Sequence, residues 1–324
     1  MATMVERLKC AAFKKAHECS GLRRRTWLKF GACTAAGFIL LLLIYAPVVP
    51  LPSSWCETGV SKAVDARSST EGPMVYVVTP TYRRASQAPD MVRLSQALML
   101  AEVRIFWVVV EDAERPSLLV RNIMRRSGLA GVQLTSRTPS QFRQAKHGKG
   151  VAPRLRAIAW LRANAVLPSV LYFADDDNSY DHRLFDQIAL VQRVGVLPVG
   201  LIGTYSVSSP VVSPAGRVVG FHDSYKRERR FAMDMAGFAV NMRLVLSSAN
   251  ISMPYKLGQL ETGFLESLGV SVDDMEPLAG NCTEVLVWHT KVVPRRFPSR
   301  NILRRLNITL PNNLPLLYKN ILDD

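Results

Sequence analysis

Asp175-Asp176-Asp177 directly follows the apolar run Val170-Leu171-Tyr172-Phe173-Ala174, so three carboxylates crowd the end of a segment that reads as a buried strand. Adjacent anions repel one another unless a cation or a group of donors holds them. Hard oxygen ligands there suit Mg²⁺ or Mn²⁺ shared with a phosphate, because open α/β sheets bind nucleotides at the carboxyl ends of their strands. The same triplet could also be an acidic turn capping the next helix. Two other apolar runs end in groups a nucleotide can use. Val78-Thr79-Pro80-Thr81-Tyr82-Arg83 offers an aromatic ring and a cation, and Glu111-Asp112 offers a carboxylate to a base or ribose.

The elements that must position these groups follow from periodicity. Met74-Val75-Tyr76-Val77-Val78 reads as a strand, and Met91, Leu94, Leu98 and Ala101 fall on one face of a helix. A strand over 105–110, a helix over about 117–127 ending before Gly128, a short strand near 132–134 and a helix over 153–164 lead to the aspartates. Strands alternating with helices predict a mixed, mostly parallel sheet flanked by helices, wound right-handed. Residues 74–178 thus form a nucleotide-binding type of unit. Beyond it the pattern predicts a helix near 182–194, strands near 196–203 and 217–221, an irregular basic segment, a helix near 259–268 and a strand over 285–288. The remainder to residue 324 ends in an extended arm from Pro298 onward.

The first seventy residues bear on compartment. Arg7, Lys9, Lys14, Lys15, Arg23, Arg24, Arg25 and Lys29 face only Glu6 and Glu18 in residues 1–29, and no charged residue follows until Glu57. Residues 30–49 read as a transmembrane signal anchor with residues 1–29 as a cytosolic tail, the basic leader being long for a cleavable signal peptide. Residues 50–73, rich in Ser, Gly and Pro, read as a stem. This predicts a single-pass membrane protein with a luminal domain and no nucleic-acid partner. In that compartment Asn250-Ile251-Ser252, Asn281-Cys282-Thr283 and Asn307-Ile308-Thr309 become glycosylation sequons at Asn250, Asn281 and Asn307. Cys56 is placed to link two stems, while Cys282 reads as a buried thiol. Of a net charge of +15, about +9 lies beyond the tail, which favours anionic ligands such as nucleotide phosphates or uronic acids.

Six dispersed motifs then carry a family resemblance. Pro80-Thr81-Tyr82, Val110-Glu111-Asp112-Ala113-Glu114, Tyr172-Phe173-Ala174-Asp175-Asp176-Asp177-Asn178, Gly216-Arg217-Val218-Val219-Gly220-Phe221-His222, Asp234-Met235-Ala236-Gly237-Phe238-Ala239-Val240 and Val287-Trp288-His289-Thr290 resemble the β-1,3-glucuronosyltransferases, the family 43 glycosyltransferases. The resemblance implies a GT-A fold, inverting Mn²⁺-dependent transfer from UDP-glucuronate to a galactose-terminated glycan acceptor, a type II Golgi membrane topology and a homodimer. Carried over by position, Tyr82 stacks on uracil, Asp112 binds its edge, and Arg154 is the arginine of the helix before the aspartates. Asp177 binds the metal, Asp175 and Asp176 support the uridine and the metal's waters, and His289 reaches the diphosphate. Glu261 matches the catalytic base; on its own residues it reads instead as a carboxylate favoured at a helix N-terminus. Arg229 and Asp234 hold the acceptor sugar, making 179–324 the acceptor-binding subdomain.

The chain departs from the family pattern at Lys149, Leu257 and Lys291, where the family usually has arginine, and at Ser208, where it has an acceptor-site glutamate. Lysine supplies charge without arginine's bidentate fork. Two alternative readings follow: the same fold using another UDP-sugar such as UDP-xylose, or a catalytically silent Golgi glycan-binding or assembly relative.

Overall fold

The computed structural model describes residues 72–290 apart from 145, 146 and 227, together with 292, 313, 314 and 317. The anchor expected at 30–49, the stem, Cys56, Lys291, Asn307 and most of the arm lie outside the described residues. Among the described residues no helix is long and apolar enough to cross a membrane.

The chain alternates β1 (Met74–Thr81), α1 (Gln87–Leu100), β2 (Arg104–Glu111), α2 (Leu118–Ser127), β3 (Ala130–Thr135), α3 (Val151–Asn164) and β4 (Ser169–Phe173). These strands pair in parallel, β1 lying between β2 and β4 and β3 beyond β2. Parallel strands are covered on both faces, which is why they read as unbroken apolar runs. Val75 and Val77 face one core cluster, with α1; Tyr76 and Val78 face the other, with α3.

The second half continues with β5 (Ser179–Tyr180), α4 (Arg183–Ile188), β6 (Val194–Val196), β7 (Val199–Gly200), β8 (Val207–Val212), β9 (Val218–His222), β10 (Phe238–Asn241), α5 (Met242–Ser247), α6 (Leu260–Ser267), β11 (Met275–Pro277) and β12 (Val287–Trp288). A seven-stranded sheet runs β11-β6-β10-β4-β1-β2-β3, and a five-stranded sheet runs β5-β12-β7-β8-β9. The main sheet is mixed and mostly parallel, because β10 alone enters antiparallel, between β4 and β6. The smaller sheet is mostly antiparallel.

Two expectations change here. The helix near 182–194 stops at Ile188, since Val194-Gly195-Val196 pairs with β10 and β11. The strand near 196–203 is two strands in different sheets, with Leu197-Pro198 between them; proline has no N–H to continue a ladder. β8, β10 and α5 carry too few periodic residues to be read from the sequence.

This topology places the expected nucleotide groups together. Thr81 pairs with Glu111 and Val78 with Phe173, so Tyr82, Asp112 and the aspartates emerge at one sheet edge.

Candidate active site

Each aspartate of the triplet has a different environment. The Ala174 N–H donates to the Val78 carbonyl at 2.9 Å, prolonging the pairing before the chain turns. Asp175 is ion-paired with Arg154, and the Tyr180 hydroxyl donates to its carbonyl at 2.9 Å. Asp176 is buried, accepting from the Thr81 hydroxyl at 2.5 Å and from Arg84 Nη1 at 2.8 Å. Burial outweighs those donors and pushes its pKa up to about 6. Arg84 also donates to the buried Asp90 at 2.8 Å, so one guanidinium ties α1 to the triplet.

Asp177 differs. Its backbone carbonyl accepts from Arg93 Nη2 at 2.7 Å and from the Thr290 hydroxyl, which fixes the main chain. Among the described residues no side chain donates to its carboxylate. Burial and the nearby Asp175 raise its pKa, while Arg84 and His289 pull it down. Among the described residues, arginine side chains thus pair with Asp175 and Asp176 and none bonds the Asp177 carboxylate. Among the described residues no cluster of three His, Cys, Asp or Glu side chains makes a protein-only metal cage. A hard divalent ion fits Asp177 with the remaining ligands coming from phosphate and water, the manner in which such ions accompany nucleotides.

At the other end of the edge, Tyr82 is 52% exposed and Arg84 lies over its ring at 4.9 Å. Asp112 accepts from the Thr138 N–H at 2.7 Å and from its hydroxyl at 2.6 Å, which holds the carboxylate in one orientation. Tyr255, whose phenol is raised by burial and by Asp112, stacks on Phe142 with ring centroids 4.0 Å apart. Thr138 and Tyr255 lie in loops and Phe142 ends a one-turn 3-10 helix, so none of the three carries a sequence signal. If Tyr82 is the base platform, Tyr82→Ala weakens UDP binding about 10-fold, since stacking on one base is worth roughly 1–3 kcal/mol; titration calorimetry with Mn²⁺ and UDP measures it.

Arg154 sits in the first turn of α3 after Gly150, whose φ of 71° puts it in the left-handed region. A Cβ on Gly150 would lie 2.6 Å from Arg154 Nη1, so glycine is what lets the guanidinium lie across the turn. Arg154 Nη1 donates to the Lys149 carbonyl at 3.1 Å, so position 149 supports the arginine through its backbone. His289 is anchored by its N–H to the Gly200 carbonyl at 2.9 Å, and its Nδ1 lies 3.6 Å from Asp234 Oδ2. Asp234 accepts from the Ala236 N–H at 3.0 Å, and burial raises its pKa against the opposing effect of His289.

Glu261 lies in the first turn of α6, with Arg229 Nη2 3.4 Å from its Oε2. Burial pushes its pKa up to about 7; Arg229 and Arg154 lower it, and Asp234 raises it. Arg154 therefore acts on both Asp175 and Glu261, which brings the triplet and the candidate base into one electrostatic unit. Beside them opens a cleft of about 470 Å³ lined by Tyr225, Glu228, Arg229, Lys256, Leu257 and Gln259. Gly258, at φ 73°, packs on the Tyr225 ring so closely that a Cβ there would displace it. Leu257 is 56% exposed at this cleft, and Ser208 is buried against Asp223.

Asn250 and Asn281 are exposed, Asn281 in a kinked turn at φ 58°. Cys282 is half-buried, its thiol donating to the Val196 carbonyl at 3.5 Å and its pKa pushed up to about 11.

Comparison with known proteins gives the family of the chain. The model of "Glycosyltransferase family 43" matches residues 94–293. Galactosylgalactosylxylosylprotein 3-beta-glucuronosyltransferase S of Drosophila melanogaster is 42% identical over 252 residues, 76% of this chain and 61% of that protein. The human galactosylgalactosylxylosylprotein 3-beta-glucuronosyltransferase 3 is 40% identical over 253 residues, 72% of this chain and 75% of its own length. Among solved structures, S. aureus TarS 1–349 in complex with UDP-GlcNAc matches over 73% of this chain and 66% of its own at 15% identity, with a TM-score of 0.43. With a matched region that contains the aspartate triplet, Arg154, Glu261 and His289, and with relatives near 40% identity, the chain belongs to glycosyltransferase family 43.

Proposed function

We propose that this chain is an inverting, Mn²⁺-dependent glucuronosyltransferase of GT-A fold, moving glucuronic acid from UDP-glucuronate to the 3-hydroxyl of a terminal β-galactoside on a glycoprotein or proteoglycan. Its proposed setting is the Golgi membrane, as a single-pass type II homodimer with the catalytic domain in the lumen. The observation that carries the reading is the division of charge: among the described residues no side chain donates to the Asp177 carboxylate, while Glu261, partly buried and beside Arg229, is proton-avid, and Arg154 acts on both Asp175 and Glu261. The names of the relatives at about 40% identity supply the donor and acceptor classes.

Tyr82 and Asp112 hold the uracil face and edge at the ends of β1 and β2. Asp177 holds the cation, and Asp175, pinned by Arg154, borders the diphosphate. Mn²⁺, when bound, neutralises charge on the diphosphate as it departs. Glu261 takes the proton of the acceptor hydroxyl; that oxygen forms its bond to the anomeric carbon from the face opposite UDP, and the carbon–phosphate-oxygen bond breaks toward UDP. One displacement inverts the anomeric centre without a covalent enzyme intermediate. His289, at 3.6 Å from Asp234, is held at the leaving-group side.

The exposed Leu257 and the cationic Lys256 beside it give the donor question a concrete form. The expected result is turnover of UDP-glucuronate, with Mn²⁺ and a β-galactoside acceptor, well above that of UDP-xylose, UDP-glucose and UDP-GlcNAc. Preference for an uncharged donor rejects the glucuronate reading but keeps the transferase. UDP binding without transfer from any donor rejects both.

A further inference from the structure

Asp223 follows β9, Arg229 lies in the basic segment after it, and Glu261 opens α6. Arg229 Nη1 is 3.7 Å from Asp223 Oδ1, and Nη2 is 3.4 Å from Glu261 Oε2. The side chains of Asp223 and Arg229 are only 6% and 5% exposed, so water screens this pairing weakly. Neither can turn away. Ser208 Oγ donates to Asp223 Oδ2 at 2.5 Å and the Tyr225 N–H to Oδ1 at 2.7 Å, while Arg229 donates to the Met233 and Tyr225 carbonyls.

A guanidinium fixed between two carboxylates is shared by them, and what it gives to one is withheld from the other. We infer that Asp223 is a positioning residue that holds Arg229 back from full pairing with Glu261, and so keeps Glu261 able to accept a proton. The inference deepens the proposed base role of Glu261 and rests on it. Burial raises Glu261 to about 7 even with an arginine 3.4 Å away, and a guanidinium held by a second carboxylate offsets less of that rise. The other charged groups acting on Glu261 are Asp234, which raises it, and Arg154, which lowers it; Glu228 and Lys256 line the adjoining cleft. Among the described residues none of these is bonded to Asp223, so its removal reaches Glu261 through Arg229. A neutral residue at 223 frees the guanidinium for Glu261, which favours the charged carboxylate and lowers its pKa.

The test is a titration of the full chain with ¹³C at its glutamate carboxyl carbons, the Glu261 resonance being identified by its loss in Glu261→Gln. Asp223→Asn keeps the shape and accepts from the Tyr225 N–H, while its amide NH2 donates to Ser208 Oγ with that bond reversed, and it is expected to lower the Glu261 midpoint by about one pH unit, the size usual for releasing an opposite charge onto a carboxylate. Asp223→Ser is a second neutral variant with the same expected shift, should the amide fail to fold. Asp223→Glu is expected to keep the midpoint near that of the wild type. In turnover, the acid limb of the kcat profile moves down with the midpoint. An unchanged midpoint in a folded neutral variant overturns the inference. Because the titration uses neither donor nor acceptor, it is read even where glucuronosyl transfer is absent, and the two failures are distinct.

Discussion

Glu261→Gln is expected to lower transfer by about 10²- to 10⁴-fold, the range general-base groups supply, while UDP binding with Mn²⁺ is kept. Glutamine retains the volume of the side chain beside Arg229 but cannot take the acceptor proton. The wild-type pH profile is the companion measurement. With a pKa of about 7, Glu261 is protonated and inactive below neutrality, so kcat falls as the pH drops through that value. The same shift bears on stability with the opposite sense. The folded pKa lies above the ordinary carboxylate value of 4.5, so the native state binds more protons between about pH 4.5 and 7 and loses stability as the pH rises through that window. Glu261→Gln removes that loss: the fall in unfolding free energy between pH 5 and 8 shrinks by on the order of 2 kcal/mol, read by urea denaturation at the two pH values. Full activity of Glu261→Gln with an unchanged acid limb would place the base elsewhere.

The environment of Glu261 is only partly legible in the sequence. Leu260-Glu261-Thr262 reads as a helix start, and Glu261 does sit in the first turn of α6. Nothing local says that the carboxylate is proton-avid, because the charges that act on it, Arg229 and Arg154, come from the segment after β9 and from α3. The resemblance supplied its role. The first half of the fold was more readable, since each parallel strand is apolar on both faces and each helix long enough to show its period. The second half is built from strands as short as two residues, β5, β7 and β12, which carry no period at all. What they position escaped reading as well: His289 pairs with Asp234 across 55 positions of sequence, and Arg229 pairs with Asp223 inside an irregular segment that has no period. Ser208, which looked like a lost acceptor carboxylate, proves to hold a carboxylate at 223 instead.

Asp177→Asn is expected to weaken Mn²⁺ binding in the presence of UDP by about 100-fold or more and to stop Mn²⁺-dependent transfer, because a ligated divalent ion contributes several kcal/mol of charge stabilisation. The decrease in the free Mn²⁺ electron paramagnetic resonance signal on titrating protein and UDP measures it. The neighbouring aspartate gives the contrast. Asp176 is buried against Thr81 and Arg84, so Asp176→Ala leaves Arg84 short of one partner and lowers stability by about 3 kcal/mol, as breaking a buried ion pair does. Asp177 makes no such bond through its carboxylate, so Asp177→Asn melts close to the wild type while losing the metal. If Asp176→Ala abolished Mn²⁺ binding in a folded protein and Asp177→Asn left it intact, the division of the triplet would be reversed. The geometry opposes that outcome, since a metal at Asp176 would have to displace both the Thr81 hydroxyl and the Arg84 guanidinium from a side chain that has almost no open surface.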